Sequence, residues 1–213
     1  MSTAMQGSVF TVGHSNHQLE YFIGLLRRHA ITALADVRSA PYSRTNPQFN
    51  RETLKEALAA AGIAYVFLGK ELGARSQDPN CYEDGKVRYD RLACTELFRK
   101  GLERVREGSE QFRVALMCAE REPLDCHRTI LVARHLAARG CDIQHVHGDG
   151  ALESHADAIA RLIQMLKMPE EDMFHSRAEI VEDAYKKQEE RIAYVTPPAK
   201  GPHADATVGP SMQ

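Results

Sequence analysis

Short apolar runs alternate along the chain with longer stretches of helical periodicity. Ser8-Val-Phe-Thr-Val12 is a β-rich run that ends at Gly13-His14-Ser15-Asn16. Leu19, Phe22, Ile23 and Leu26 follow at helical spacing, with Ser15 or Asn16 placed to cap that helix. Ile31 to Val37 predicts a second buried strand, which ends in Asp36 and Arg38. After a polar loop from Ser39 to Asn50, Leu54, Ala57, Leu58 and Ala61 mark a helix that Asn50 is placed to cap and Gly62 to stop. Ile63 to Leu68 is a third strand. Gly69 to Tyr89 holds three glycines and Pro79 and predicts a long loop, a length that often belongs to lids or binding segments. A helix is predicted around Leu92 to Arg106, and Phe112 to Cys118 makes the fourth strand. Ile130 to Leu136 forms a helix ended by Gly140; Asp142 to His147 is the fifth strand, and Leu152 to Leu166 a further helix.

This alternation predicts a single-domain, Rossmann-like α/β fold: a parallel sheet with right-handed crossovers and helices on both faces. Residues 1–168 form that domain in this reading. Residues 169–195 are a C-terminal helical extension, with a charged helix over Ser176 to Tyr194, and residues 196–213 are a disordered tail rich in Pro, Gly and Ala. The run Glu170-Glu171-Asp172 reads as a solvated cap or helix start. Open sheets of this kind bind ligands at the carboxyl ends of their strands, so the chemistry belongs there.

Composition narrows the class. The chain has 213 residues, 43% of them hydrophobic and 26% charged, which suits one soluble domain. A net charge of −2 argues against a protein that coats nucleic acid without specificity, although a local basic patch is compatible with it. No apolar run reaches the ~20 residues of a membrane span. Met1 to Gly7 lacks the features of a secretory signal, so a cytoplasmic protein is expected. Five cysteines, an odd number in a chain this large, point to reduced thiols.

Four polar segments converge on the same predicted edge: Gly13-His14-Ser15-Asn16, Asp36-Val37-Arg38, Cys118-Ala119-Glu120 and Cys126-His127-Arg128. Together with Phe49-Asn50, Gly62-Ile63 and Glu71-Leu72-Gly73-Ala74-Arg75, they resemble the signature of the DUF488 family from about Thr11 to His147. The resemblance implies a Rossmann-like fold and, more distantly, a link to DNA metabolism that includes removal of modified adenine bases, N6-methyladenine among them, by a DNA glycosylase.

Read for chemistry, Asp36 and Glu120 are the candidate catalytic carboxylates. Cleaving an N-glycosidic bond builds positive charge on the sugar, which a carboxylate stabilises while another group activates water. The competing reading pairs Asp36 with Arg38 or Arg128 as a structural ion pair. Cys118 is either core or an activated thiolate, with Cys126 as a resolving partner and His127 or Arg128 lowering its pKa. The spacing of a phosphatase-like loop fails, since Leu124 stands where arginine is needed. Zinc pairs come as C-x₂₋₄-C, whereas seven residues separate Cys118 from Cys126, so no metal is expected, nor any other cofactor. His127 and Arg128 begin a helix, where Arg128 can pair with a carboxylate or bind an anion. His14 and Ser15 are candidate ligand contacts.

The loop from Arg38 to Arg51 is the strongest nucleic-acid signal, with three arginines, two aromatics and no acid. Arg38 and Arg44 would hold phosphate, Tyr42 and Phe49 would stack on a base, and Ser43 and Asn50 would contact substrate. Arg75 and Lys70 would extend the patch. Packing of Phe49 and Tyr42 onto the core is the plain alternative. Three functions stand: a DNA N-glycosylase, a thiolate or redox enzyme using Cys118, and a non-catalytic nucleotide- or anion-binding module. The expected partner is DNA or a nucleotide, with no membrane, and the C-terminal arm is a possible homodimer contact.

Overall fold

The computed structural model describes residues 7–169 and 174–197. The expectations for Met1 to Gln6, Glu170-Glu171-Asp172 and all but the first two residues of 196–213 lie outside the described residues.

In chain order the elements are β1 (Val9–Gly13), α1 (Leu19–Arg28), β2 (Ala33–Asp36), α2 (Arg51–Ala60), β3 (Ala64–Phe67), α3 (Gly69–Leu72), β4 (Tyr82–Glu83), β5 (Lys86–Val87), α4 (Tyr89–Ala93), α5 (Glu96–Ser109) and β6 (Val114–Cys118). A π-helical turn (Arg128–Ala133) then runs into α6 (Arg134–Ala137), followed by β7 (Ile143–Val146), β8 (Leu152–Ser154), α7 (His155–Met165) and α8 (Arg177–Ile192).

One sheet carries six strands in the order β3-β2-β6-β1-β7-β8. The first five are parallel, and β8 pairs antiparallel with β7. Two-residue alternation divides the strand residues between two apolar layers. Phe10, Val12, Leu34, Ala115 and Met117 pack with Phe22 and Leu26 of α1 and Leu54 and Leu58 of α2. Val9, Ala35, Val114, Leu116 and Cys118 pack on the other face with α5, the π turn, α6, α7 and α8. The fold is therefore the α/β sheet with helices on both faces that the alternation predicts. Crossovers α1 and α2 cover one face while the helices leaving β3 and β6 cover the other, so the connection leaving β6 departs on the face opposite to those leaving its neighbours β1 and β2. That arrangement opens a crevice at the carboxyl ends of β1, β2 and β6.

Several local expectations are corrected. Gln18, not Ser15 or Asn16, precedes α1, because Ser15 is held in a left-handed turn (φ 49°). Asn50 occupies the position before α2 but does not cap it; its Oδ1 accepts the Ser43 amide at 2.8 Å. Gly62 does end α2, at φ +75°. The Gly69 to Tyr89 segment is not bare loop, since it contains α3 and the β4–β5 hairpin. The expected 92–106 helix is two helices, divided where Thr95 caps α5 by accepting the Phe98 amide. Leu152 to Ser154 is a strand because its backbone pairs with β7 before Ser154 caps α7.

The C-terminal helix α8 starts at a full capping box, Ser176 with Glu179. Its apolar residues Ile180, Ala184 and Tyr185 are buried in the core of the domain itself. Gln188, fully buried, donates to the Leu124 carbonyl at 2.8 Å and to Asp125 Oδ1 at 3.1 Å. Glu189 accepts the Tyr89 amide at 2.8 Å. The extension is thus fastened beside the crevice.

A chain of hydrogen bonds crosses this side of the protein: Thr11 to His145 (2.8 Å), His145 to His155 (3.0 Å) and His155 to Tyr185 (2.9 Å). Burial lowers the pKa of His145 to about 2, with the electrostatic effects of neighbouring His155, Arg128, His147 and Arg161 acting the same way, and burial lowers that of His155 to about 4. Both rings are neutral when folded but take up protons near 6.5 when unfolded. Their contribution to stability is therefore complete above pH 6.5 and is lost as pH falls below it, down to about 4 for His155 and about 2 for His145. We expect the Tm to fall across that window, and less steeply in His155→Gln. An equal acid slope in both proteins would show that other groups control it.

Candidate active site

The site forms where the segments after β1 and β6 run side by side. The His14 amide donates to the Cys118 carbonyl at 2.9 Å and the Ser15 amide to the Ala119 carbonyl at 3.0 Å. Only glycine fits at the end of β1, because a Cβ on Gly13 would lie 1.9 Å from the Glu120 carbonyl oxygen. Gly13→Ala must push back the loop that carries Glu120, and overpacking of this kind costs about 1–3 kcal/mol. A denaturant titration will find that loss unless the loop yields freely, in which case stability stays at the wild-type value.

Fully buried Arg128 ties the same loop from below. It donates to the Glu120 carbonyl at 2.7 Å and the Arg121 carbonyl at 3.2 Å. This corrects its expected substrate-binding role: the guanidinium is used as a brace and is closed to an anion from solvent.

Four side chains meet above the brace. His127 Nδ1 stands 3.7 Å from Cys118 Sγ and 3.8 Å from Cys126 Sγ. The Cys126 thiol donates to Glu120 Oε2 at 3.0 Å. The ligand atoms of Cys118, Glu120, Cys126 and His127 all lie within 4.8 Å of one another. His127 Nε2 donates to the Val37 carbonyl at 3.1 Å, which orients Nδ1 toward both sulfurs. The Arg128 amide donates to Cys126 Sγ at 3.4 Å.

Burial pushes the Cys118 thiol well up, and its contact with Cys126 adds to the shift. Burial acts upward on Cys126 too, but Cys118, Arg128 and His127 together hold this thiol well below its ordinary value. Burial and the neighbouring Cys126 raise the Glu120 carboxyl. His127 is raised by Cys126 against the opposing effect of burial. Glu120 is exposed as a residue, yet the end of its side chain turns inward to Cys126.

A cavity of about 220 Å³ opens onto this cluster. Arg38, Cys118, Glu120 and His127 line it together with Arg75, Tyr89 and Tyr194. The Arg75 guanidinium lies 4.5 Å above the Tyr194 ring. Tyr194 is held in place by a backbone bond from the Val87 amide to its carbonyl at 2.9 Å.

Of the predicted site residues, Glu120, Cys118, His127, Arg38 and Arg75 meet in this cavity. Asp36 does not, and its expected catalytic role is corrected. It is fully buried, its Oδ1 accepts Arg38 Nε at 2.9 Å, and its Oδ2 accepts Arg38 Nη2 at 2.6 Å and the Tyr65 hydroxyl at 2.8 Å. His14 closes the same lattice, receiving Arg38 Nη1 at 3.1 Å while its Nδ1 donates to the Ser15 carbonyl at 2.8 Å. Burial, with Arg38 next, lowers the His14 pKa to about 4, so the ring is a neutral structural link and not a ligand contact.

Phe49 is also corrected from stacking platform to core. It is fully buried, stacked on His14 at 4.3 Å and edge-on to Phe22 at 5.2 Å. Ser43 and Asn50 are engaged with each other inside their loop. Ser15 bonds to Asn16 Oδ1 at 3.3 Å and does not line the cavity. Tyr42, 64% exposed, and Arg44 stand in solvent outside the cavity.

Sequence spacing argued against a metal because it treats ligand pairs as local. Here Cys118 ends a strand and Cys126 precedes a π turn, and the intervening loop folds back to join them. Tyr89 and Tyr194 escaped sequence reasoning altogether; nothing local marks a tail tyrosine as part of a site assembled from β6.

Among the described residues, no helix is long and apolar enough to cross a membrane. Comparison with curated proteins finds no match, and neither does comparison with solved structures. The family model described as "Domain of unknown function DUF488" matches residues 18–135, which leaves the β1 motif and the Tyr194 wall outside the matched stretch. Those residues cover more than half of the chain and include Cys118, Glu120, Cys126 and His127, so this protein belongs to the DUF488 family.

Proposed function

We propose that this protein is a hydrolase that cleaves the N-glycosidic bond of a modified base carried by DNA or a nucleotide. The observation that carries the reading is the placement of Glu120, which lines the cavity with its carboxyl group beside Cys118 and His127. Asp125 also lines the cavity, but its Oδ1 is engaged by Gln188. At about 220 Å³ the cavity is smaller than the ~300–1,000 Å³ of drug-sized sites, and suits a single base. Tyr194 supplies an aromatic face for an unstacked base, and Arg75 a cation at the entrance for phosphate.

In this reading Glu120 gives its proton to the departing base nitrogen as the C1′–N bond breaks. Water then adds its oxygen to C1′ and returns a proton to Glu120. The thiolate reading is weaker, because the thiol that faces the cavity, Cys118, is the one held protonated, while Cys126 lies behind it.

The test is release of free base from duplex and single-stranded DNA and from nucleotides carrying modified adenines, by wild type beside Glu120→Gln. Release that depends on Glu120 supports the assignment. No release by wild type across a broad base panel sinks it and shifts weight to a binding module.

A further inference from the structure

We propose that Cys118, Cys126 and His127 bind a soft divalent metal ion, zinc above all, leaving Glu120 beside the fourth position. The claim concerns metal binding alone and holds whichever bond the enzyme cleaves.

Three independent features support it. The first is spacing. A tetrahedral zinc at about 2.3 Å from sulfur and about 2.0–2.1 Å from nitrogen separates those atoms by about 3.6 Å. The His127 Nδ1 to sulfur distances are 3.7 and 3.8 Å. The second is the surrounding shell. A metal-bound histidine commonly donates its other ring N–H to a backbone carbonyl, as His127 does to Val37. The Arg128 amide already donates to the Cys126 sulfur, and Arg128 and Gly13 fix the backbone of the loop. The third is access and charge. Cys118 and His127 line the cavity, which gives an ion a way in. Zinc displaces both thiol protons to solvent, and two thiolates balance its charge, so no net charge is left on the buried sulfurs and metal.

The set of two cysteines, one histidine and a nearby acid is that of hydrolytic zinc centres, in which three protein ligands hold the ion, a water takes the fourth position and a glutamate that is not a ligand moves protons. Glu120, two residues after Cys118, is placed for that part. Sulfur and imidazole donors select zinc or cobalt over magnesium or calcium.

The experiment uses the full reduced chain, stripped with a chelator and titrated with cobalt(II), then zinc. One cobalt per chain is expected, with the intense visible bands of tetrahedral cobalt and a sulfur-to-cobalt charge-transfer band, both abolished by one equivalent of zinc. Zinc should also shield two thiols of the wild type from alkylation, a reading that needs no variant. Cys126→Ser and Cys118→Ser should lose more affinity than the ~10–100-fold that removal of an outer partner costs, while exposed Cys94→Ser binds normally. A folded wild type that keeps cobalt octahedral, or leaves all thiols open to alkylation with zinc present, overturns the proposal. Base release measured on the same samples separates the two claims: metal bound without base release defeats the glycosidic reading alone, and release by protein that binds no metal defeats this one alone.

Discussion

Asp36→Ala is expected to cost about 3–5 kcal/mol of folding stability, because it leaves the charge of Arg38 buried without its partner. The Arg38 side chain is 6% exposed and that of Asp36 not at all, so water cannot replace the lost carboxylate. The Tyr65 hydroxyl loses its acceptor too. Whole domains are stable by only about 5–15 kcal/mol, so the variant stands near the unfolding threshold. The double variant Asp36→Leu with Arg38→Met removes both charges and is expected to recover most of the loss, since apolar replacement of a buried pair is often neutral. Urea titrations of the three proteins decide it. A loss under 1 kcal/mol in Asp36→Ala would mean that the lattice of Asp36, Arg38, His14 and Phe49 yields to water.

Glu120→Gln is expected to lower the rate of base release by about 10²–10⁴, the range that a positioned proton donor contributes. The substitution is nearly isosteric, and the amide oxygen still accepts from Cys126, but an amide cannot supply the proton that the leaving base takes. Stability should stay within about 0.5 kcal/mol of wild type, the usual range for a change that breaks no buried packing. The loss should fall on kcat more than on KM, because the contact matters as the bond breaks. A variant that keeps a tenth or more of wild-type turnover would remove Glu120 from the chemistry. Contrasting effects in the two variants, stability from Asp36 and turnover from Glu120, would separate the two carboxylates that look alike in the sequence.

Much of the fold was legible in the sequence because its signals are local. The five parallel strands announce themselves as short apolar runs, Gly62 ends α2 through its positive φ, and Ser176 with Glu179 marks the start of α8. The order of motifs was enough to bring Cys118, Glu120 and His127 to one sheet edge. What stayed hidden was the fate of each polar residue at that edge. Asp36 and Glu120 both follow apolar runs, yet one is sealed under Arg38 and the other turns toward a cavity.

The sequence by itself therefore determined the α/β layers and the edge at which chemistry collects, since strand alternation and helical periodicity depend on near neighbours. Tertiary structure alone decided the membership of the site. The close approach of β1 to the Glu120 backbone, the folding back of Cys126 onto Cys118 and the arrival of Tyr194 after α8 join residues distant along the chain. Such contacts follow from how packed layers exclude water and satisfy buried polar groups, and no single stretch of sequence carries that information.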